Sequence, residues 1–385
     1  MSAAPGFHVA HVSVRILTLA VLFSAGILGF WPADMARSQA PEGSWKAIWE
    51  STIKSAGDEG KVVISIPPSP ELRRGIEENF AKRYGVTTEL IPARGAQVIR
   101  RIADEGRAGI RYFDVHIGGS ESIVKGLLPA NILDPIAPWL VLPEVRDARN
   151  WWGGHMWVDS AKRFVYDFSA YQTASIWHNS RARAETIRAL DDFLNPKLKG
   201  LIGFSDPRIS GSGSSMWSYM WEIKGEEYLR KLVAQKIMVA ADTRLLAENV
   251  ARGNVALAVG VGYGELLPFM NAGLPVKPLA TPVEGLYATG GYGNLTIIKN
   301  APHPNAARLF VNWLLGREGQ EIFTKTMGSA TRRLDVETKW LKKFFVLAAK
   351  DELTPEQYAR MENQSEAKIT KVRDPAVDLA RRLLE

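Results

Sequence analysis

Residues 208–215 read Arg-Ile-Ser-Gly-Ser-Gly-Ser-Ser and run straight into Met216-Trp217-Ser218-Tyr219-Met220-Trp221, a helical stretch. A helix leaves its first backbone N–H groups without intrahelical partners, and its N-terminus carries partial positive charge. Here the hydroxyls of Ser210, Ser212 and Ser214, with Gly211 and Gly213 between them, would join those donors, as would the Arg208 guanidinium. That set suits an anion such as a carboxylate, phosphonate or phosphate. It equally suits a flexible loop that only caps the helix. Three more turns follow predicted strands in the same way: Ser69, Arg94 and Gly119-Ser120. In open α/β sheets ligands lie beyond the carboxyl ends of strands, at helix N-termini, so these four turns are the candidate contacts. Arg94 is also compatible with a solvated turn.

The elements that must position these turns alternate. Lys61–Ile66 (KVVISI) reads as a buried strand, and Glu71–Tyr84 as a helix with Leu72, Ile76 and Phe80 on one face. Val86–Ile91 is a strand, Gly95–Glu105 a helix and Phe113–Ile117 a strand. Such alternation predicts βαβ units and a largely parallel sheet. Trp151–Asn179 is then rich in β-formers and has no helical period, as extended ribbons would be. A second α/β unit follows, with Arg181–Leu194 helical, Leu201–Phe204 a strand, Gly225–Gln235 and Asp242–Arg252 helical, Val255–Val259 a strand and Glu265–Ala272 helical. Tyr287–Lys299 returns as extended chain, and the remainder is mostly helical, with Thr354-Pro355-Glu356-Gln357 as a capped helix start. The order is lobe, inserted lobe, return: 41–178 plus 287–385 as the first lobe and 179–286 as the second, with a cleft between them.

Composition narrows the classes. The 385 residues hold no cysteine, which excludes disulfides, thiolate metal sites and a cysteine nucleophile. The net charge of +7 is scattered in short basic pairs such as Arg73-Arg74 and Lys342-Lys343, which argues against nucleic acid as a partner. Arg15 precedes the apolar run Ile16–Trp31, Pro32 ends it, and Ser38-Gln39-Ala40 supplies a small-x-small cleavage site. The chain is therefore expected to be exported and cut after Ala40. The apolar run is about 16 residues, short of the ~20 that cross a bilayer core, which argues against an uncleaved anchor. His116, His155, His178 and His303 show no metal-binding spacing and read as structural. Trp217 and Trp221, four apart, read as a buried helix face. No G-x-S-x-G elbow is present, and the acidic pairs Asp191-Asp192 and Glu226-Glu227 sit on predicted exposed helix faces, so an exported hydrolase is disfavoured.

Four passages carry a resemblance. Asp191–Gly203 (DDFLNPKLKGLIG) followed by Phe204-Ser205-Asp206-Pro207-Arg208 resembles a passage of bacterial extracellular solute-binding proteins, in the branch with ferric-iron, thiamine and phosphonate binders. Phe113-Asp114-Val115 before Gly-Gly-Ser is similar to a strand end of that family. Tyr292–Ala307, with its Asn300-Ala301-Pro302-His303-Pro304 start, and Phe310–Gln320 (FVNWLLGREGQ) resemble its return strand and following helix. The resemblance spans roughly residues 60–335. It implies a type II periplasmic-binding-protein fold, two α/β lobes joined by extended hinge strands with the ligand in the interlobe cleft. It also favours the anion reading of the 208–215 turn. The function implied is a periplasmic, non-enzymatic monomer that captures a small anionic ligand by hinge closure and delivers it to the permease of an ABC importer in the inner membrane, with no cofactor or resident metal. Iron binders of the family carry consecutive tyrosines where this chain has Tyr263 followed by Gly264. Tyr292 does not restore the pair, so a ferric-iron cargo is the alternative and Tyr263 and Tyr292 read as hydrogen-bonding or stacking contacts. A ligand-presenting partner of a membrane sensor would use the same pocket chemistry.

Overall fold

In the computed structural model, residues 44–93, 96–182 and 186–385 are described. The expected export segment and Arg94 lie outside them. The chain begins α1 (Ser44–Glu59), β1 (Lys61–Ile66), α2 (Pro70–Ile76), β2 (Thr87–Pro92), α3 (Ala96–Arg107) and β3 (Val115–Gly118). The apolar run of β1 is buried along nearly its whole length because it lies between β2 and β3, parallel to both. A strand covered on both faces has no reason to alternate polar and apolar residues.

The first sheet has seven strands. Its order is β2-β1-β3, then a strand from the far end of the chain, then β4 (Tyr166–Asp167) and Met156–Trp157; the seventh, Leu133–Asp134, pairs beside the returning strand. Beyond β4 come β5 (Ile176–Asn179), β6 (Ile202–Ser205), α4 (Ser212–Ala234), β7 (Met238–Ala240), α5 (Thr243–Arg252), β8 (Leu257–Val259), α6 (Tyr263–Asn271) and β9 (Val276–Pro278). These strands make a separate five-stranded sheet in the order β7-β6-β8-β5-β9, parallel among β6, β7 and β8. The chain then returns as β10 (Asn294–Ile298), which pairs antiparallel with β3 and so completes the first sheet. The molecule thus has two α/β lobes, the second inserted into the first. The outgoing and returning crossovers are extended and paired: Tyr171 and Thr289 exchange backbone hydrogen bonds of 2.8 and 2.9 Å.

Two segments differ from the sequence reading. Arg181–Leu194 was expected to be helical, but 3-10 turns occupy Ser180–Ala182 and Leu190–Leu194. The Asp192 carboxylate accepts the backbone N–H groups of Arg188 and Ala189 at 2.7 and 2.9 Å, which gives that backbone a local partner in place of helical ones. The second difference is in the tail. After α7 (Pro304–Leu315) and α8 (Arg317–Met327) come α9 (Pro355–Met361) and α10 (Asp374–Leu383). The Thr354 cap holds as expected, its hydroxyl accepting from Gln357 N–H while Gln357 accepts from Thr354 N–H. Residues 287–385 are expected in the first lobe, and Ile369 of the tail is buried there among Ile99, Phe113 and Ile123. Past it, Ala376, Leu379 and Ala380 of α10 are buried in the second lobe's core against Met216, Trp217 and Leu229. The Trp217 indole donates to the Ala376 carbonyl at 2.8 Å. The tail therefore crosses from one lobe to the other.

Candidate functional site at the lobe junction

The serine-rich turn folds as the start of α4, with Gly211 as its first capping residue. Gly213 must be glycine: a Cβ there would stand 2.3 Å from the Ser205 carbonyl at the end of β6. Its absence lets the first turn of α4 press onto the strand end. Ser212 Oγ donates to the Gly260 carbonyl at 2.5 Å, and Ser214 Oγ accepts from Gly211 N–H at 3.1 Å and donates to Gly211 O at 3.0 Å. Two of the three serines thus brace the turn. Ser210 reaches out of it, and its hydroxyl donates to Glu121 of the first lobe.

Arg208 does not join the α4 N-terminus as a free cation. Its Nε and Nη2 donate to the two oxygens of Asp206 at 2.9 and 2.8 Å, and its Nη1 donates to Leu384 O at 2.8 Å. The guanidinium is thus committed, and its hydrogen bonds hold the Asp206 carboxyl below its ordinary value. Ser69 is the N-cap of α2, accepting from Leu72 N–H at 3.1 Å. Gly119 is extended, and its carbonyl accepts from Ser122 Oγ at 2.9 Å. Ser120 is buried directly before Glu121. Tyr263 opens α6 and packs into an aromatic group, stacked on Trp177 at 6.5 Å with Phe344 and Phe345 alongside. Tyr292 is exposed beside Tyr171, whose hydroxyl is pushed up by burial and by that neighbouring phenol.

Besides Ser210, the residues that meet between the lobes include Glu121 and Arg373, which the sequence reading does not name as contacts. Glu121 follows Ser120 on the first lobe, Ser215 lies in the first turn of α4, and Arg373 comes from the tail. Arg373 Nη1 donates to Glu121 Oε2 at 3.1 Å and Nη2 to Ser215 Oγ at 2.9 Å. Asn363, with its amide oxygen turned inward, accepts from Arg373 Nη2 at 2.8 Å and from Ser215 Oγ at 2.9 Å. Lys125 bridges Glu121 at 3.0 Å and Asp374 at 2.5 Å. Burial pushes the Glu121 carboxyl up, but Arg373, Ser210 and Lys125 outweigh it and hold it below its usual value. Two carboxylates therefore face two cations at the junction. Arg373 lay in a stretch, Ile-Thr-Lys-Val-Arg-Asp-Pro, that matches none of the quoted motifs; only its lobe-to-lobe contacts single it out. A cavity of about 770 Å³ lined by Arg317, Thr324, Leu334, Trp340 and Phe344 includes none of these residues.

A family model described as bacterial extracellular solute-binding protein matches residues 61–326. The chain belongs to that family. The solute-binding protein is 30% identical over 146 residues to an uncharacterized protein of Haemophilus influenzae, a match that spans 37% of this chain and 41% of that one. Its fold is similar to three solved binding proteins. The periplasmic binding protein AfuA from Actinobacillus pleuropneumoniae, with fructose-6-phosphate bound, has a TM-score of 0.55 at 20% identity, over 84% of this chain and 99% of that one. Trichodesmium FutA, in complex with iron and citrate, has a TM-score of 0.64 at 17% identity, with the same coverage of 84% and 99%. Iron-bound HitA from Pseudomonas aeruginosa has 0.62 at 17% identity, again over 84% and 99%.

Three of the four passages that carry the resemblance hold structural contacts in this solute-binding protein. Asp114 accepts from Val63 N–H at 2.7 Å, from His303 N–H at 2.8 Å and lies 2.9 Å from His303 Nδ1, so the strand-end and return-helix motifs clasp each other. Gln320, from the helix motif, is buried and takes the Thr331 hydroxyl at 2.5 Å. These contacts hold the first lobe together.

Proposed function

We propose that this solute-binding protein is exported to the periplasm, where it captures a small anionic organic ligand (a carboxylate, phosphonate or phosphate ester) between its lobes. It then delivers that ligand to the permease of an ATP-driven importer, without catalysis. The observation that carries the reading is the first turn of α4. That turn has no side-chain cap for its leading N–H groups, and Ser210 beside it bonds to Glu121 on the opposite lobe. Donors of this kind at the seam of two hinged lobes favour a bound anion, and contacts from both lobes shift the open–closed equilibrium toward closure. The ligands of AfuA and FutA, fructose-6-phosphate and citrate with iron, agree with an acidic cargo.

A ligand that binds only the folded protein raises its melting temperature. A thermal-shift panel of di- and tricarboxylates, phosphonates, sugar phosphates, thiamine and Fe(III) is expected to give its shifts with the anions. A shift with Fe(III) alone would replace this reading with the ferric-iron one.

A further inference from the structure

Arg373 donates to side chains of both lobes. It is 6% exposed, and its Nε–H is buried with no acceptor. A guanidinium binds carboxylate or phosphate best through paired N–H donors. Glu121 draws on only one of them, Nη1, while Nη2 goes to Ser215 and Asn363 and the Nε–H has no acceptor. One oxygen of Glu121 already collects the donors an incoming anion would need, the Ser210 hydroxyl and the Arg373 guanidinium, beside the first turn of α4. We propose that the acidic group of the ligand binds Arg373, and that Glu121 is an internal carboxylate that occupies this place until the ligand displaces it. This rests on the anionic ligand proposed above.

The exchange leaves no charge stranded. Glu121's other oxygen keeps Lys125 at 3.0 Å, and Arg373 keeps Ser215. Arg208 offers no such exchange, because both oxygens of Asp206 are bound to it and Asp206 has no second cation among the described residues. Displacement also coincides with lobe movement. Glu121 lies on the first lobe and Ser210 and Ser215 on the second, so opening must part them. The tail, which sequence motifs leave unassigned, thereby supplies the cation of the site.

The test is isothermal titration of the full mature chain with citrate, inorganic phosphate and fructose 6-phosphate, for the wild type, Arg373→Gln, Arg373→Lys and Glu121→Gln. The expected result is a loss of tenfold or more in affinity for Arg373→Gln, a smaller loss for Arg373→Lys, and a gain of at least threefold for Glu121→Gln. The gain is the discriminating reading, since removal of a merely structural ion pair does not tighten binding, and it stands even if Arg373→Gln fails to fold. Wild-type binding with no gain in Glu121→Gln would overturn this inference alone. A wild type that binds none of the three probes would overturn the anionic class and this inference with it.

Discussion

His116 lies on β3 just below the Gly118 turn, with Nδ1 2.9 Å from Ser65 Oγ and a buried Nε2 that has no partner. Burial pushes its pKa down to about 4. The folded state therefore holds the neutral ring, while the unfolded chain takes up a proton near pH 6.5. Its contribution to stability is fully present above that value and is lost as pH falls toward 4, by up to roughly 3 kcal/mol. Denaturant unfolding at several pH values should show this fall in the wild type, and His116→Gln should flatten it. An equally steep fall in the variant would contradict the assignment. The spacing of the histidines suggests structural roles, and His303 has one, paired with Asp114. Arg208 reads in the sequence as a donor to a bound anion, since a sequence shows a charge and not what neutralises it. Asp206, two residues away, was in view, but only the folded turn brings its two oxygens onto the guanidinium.

At the scale of elements, strands were the most legible, because a run such as KVVISI in β1 has only one way to bury both faces. A helix start was legible at the Thr354 capping motif, whereas Ser69, the cap of α2, reads in the sequence as a ligand contact. The 181–194 segment was not legible, since its apolar residues Ile187, Leu190 and Phe193 are spaced as well for successive 3-10 turns as for a helix. The α4 helix was read as two pieces around Gly225, and that residue does break helical geometry, with φ 79° and ψ 178°. Its start depends on Gly213. Any Cβ at that position meets the Ser205 carbonyl at 2.3 Å and its hydroxyl at 2.9 Å, so Gly213→Ala must push the helix off the end of β6. Overpacking of this kind costs about 1–3 kcal/mol. Urea unfolding should report that loss, and a variant as stable as the wild type would show that the turn is not clamped as described.

At the scale of the molecule, the lobe, insert and return order was readable because Tyr287–Lys299 reads as extended chain after a second α/β unit, and β10 lies within it. The destination of the tail was not. The apolar face of α10 says that the helix packs, but nothing in Ala376, Leu379 or Ala380 says against what. The answer joins both lobes, from Ile369 in one core to α10 in the other, and it brings Arg373 to the seam between them. Capture at that seam is the central claim. Its most direct measurement is amide hydrogen exchange over residues 208–220, with and without the anion that raises the melting temperature most. Slowed exchange at Ser212–Ser214 is the predicted result; protection absent there and confined to the groove between Arg317 and Phe344 would contradict it.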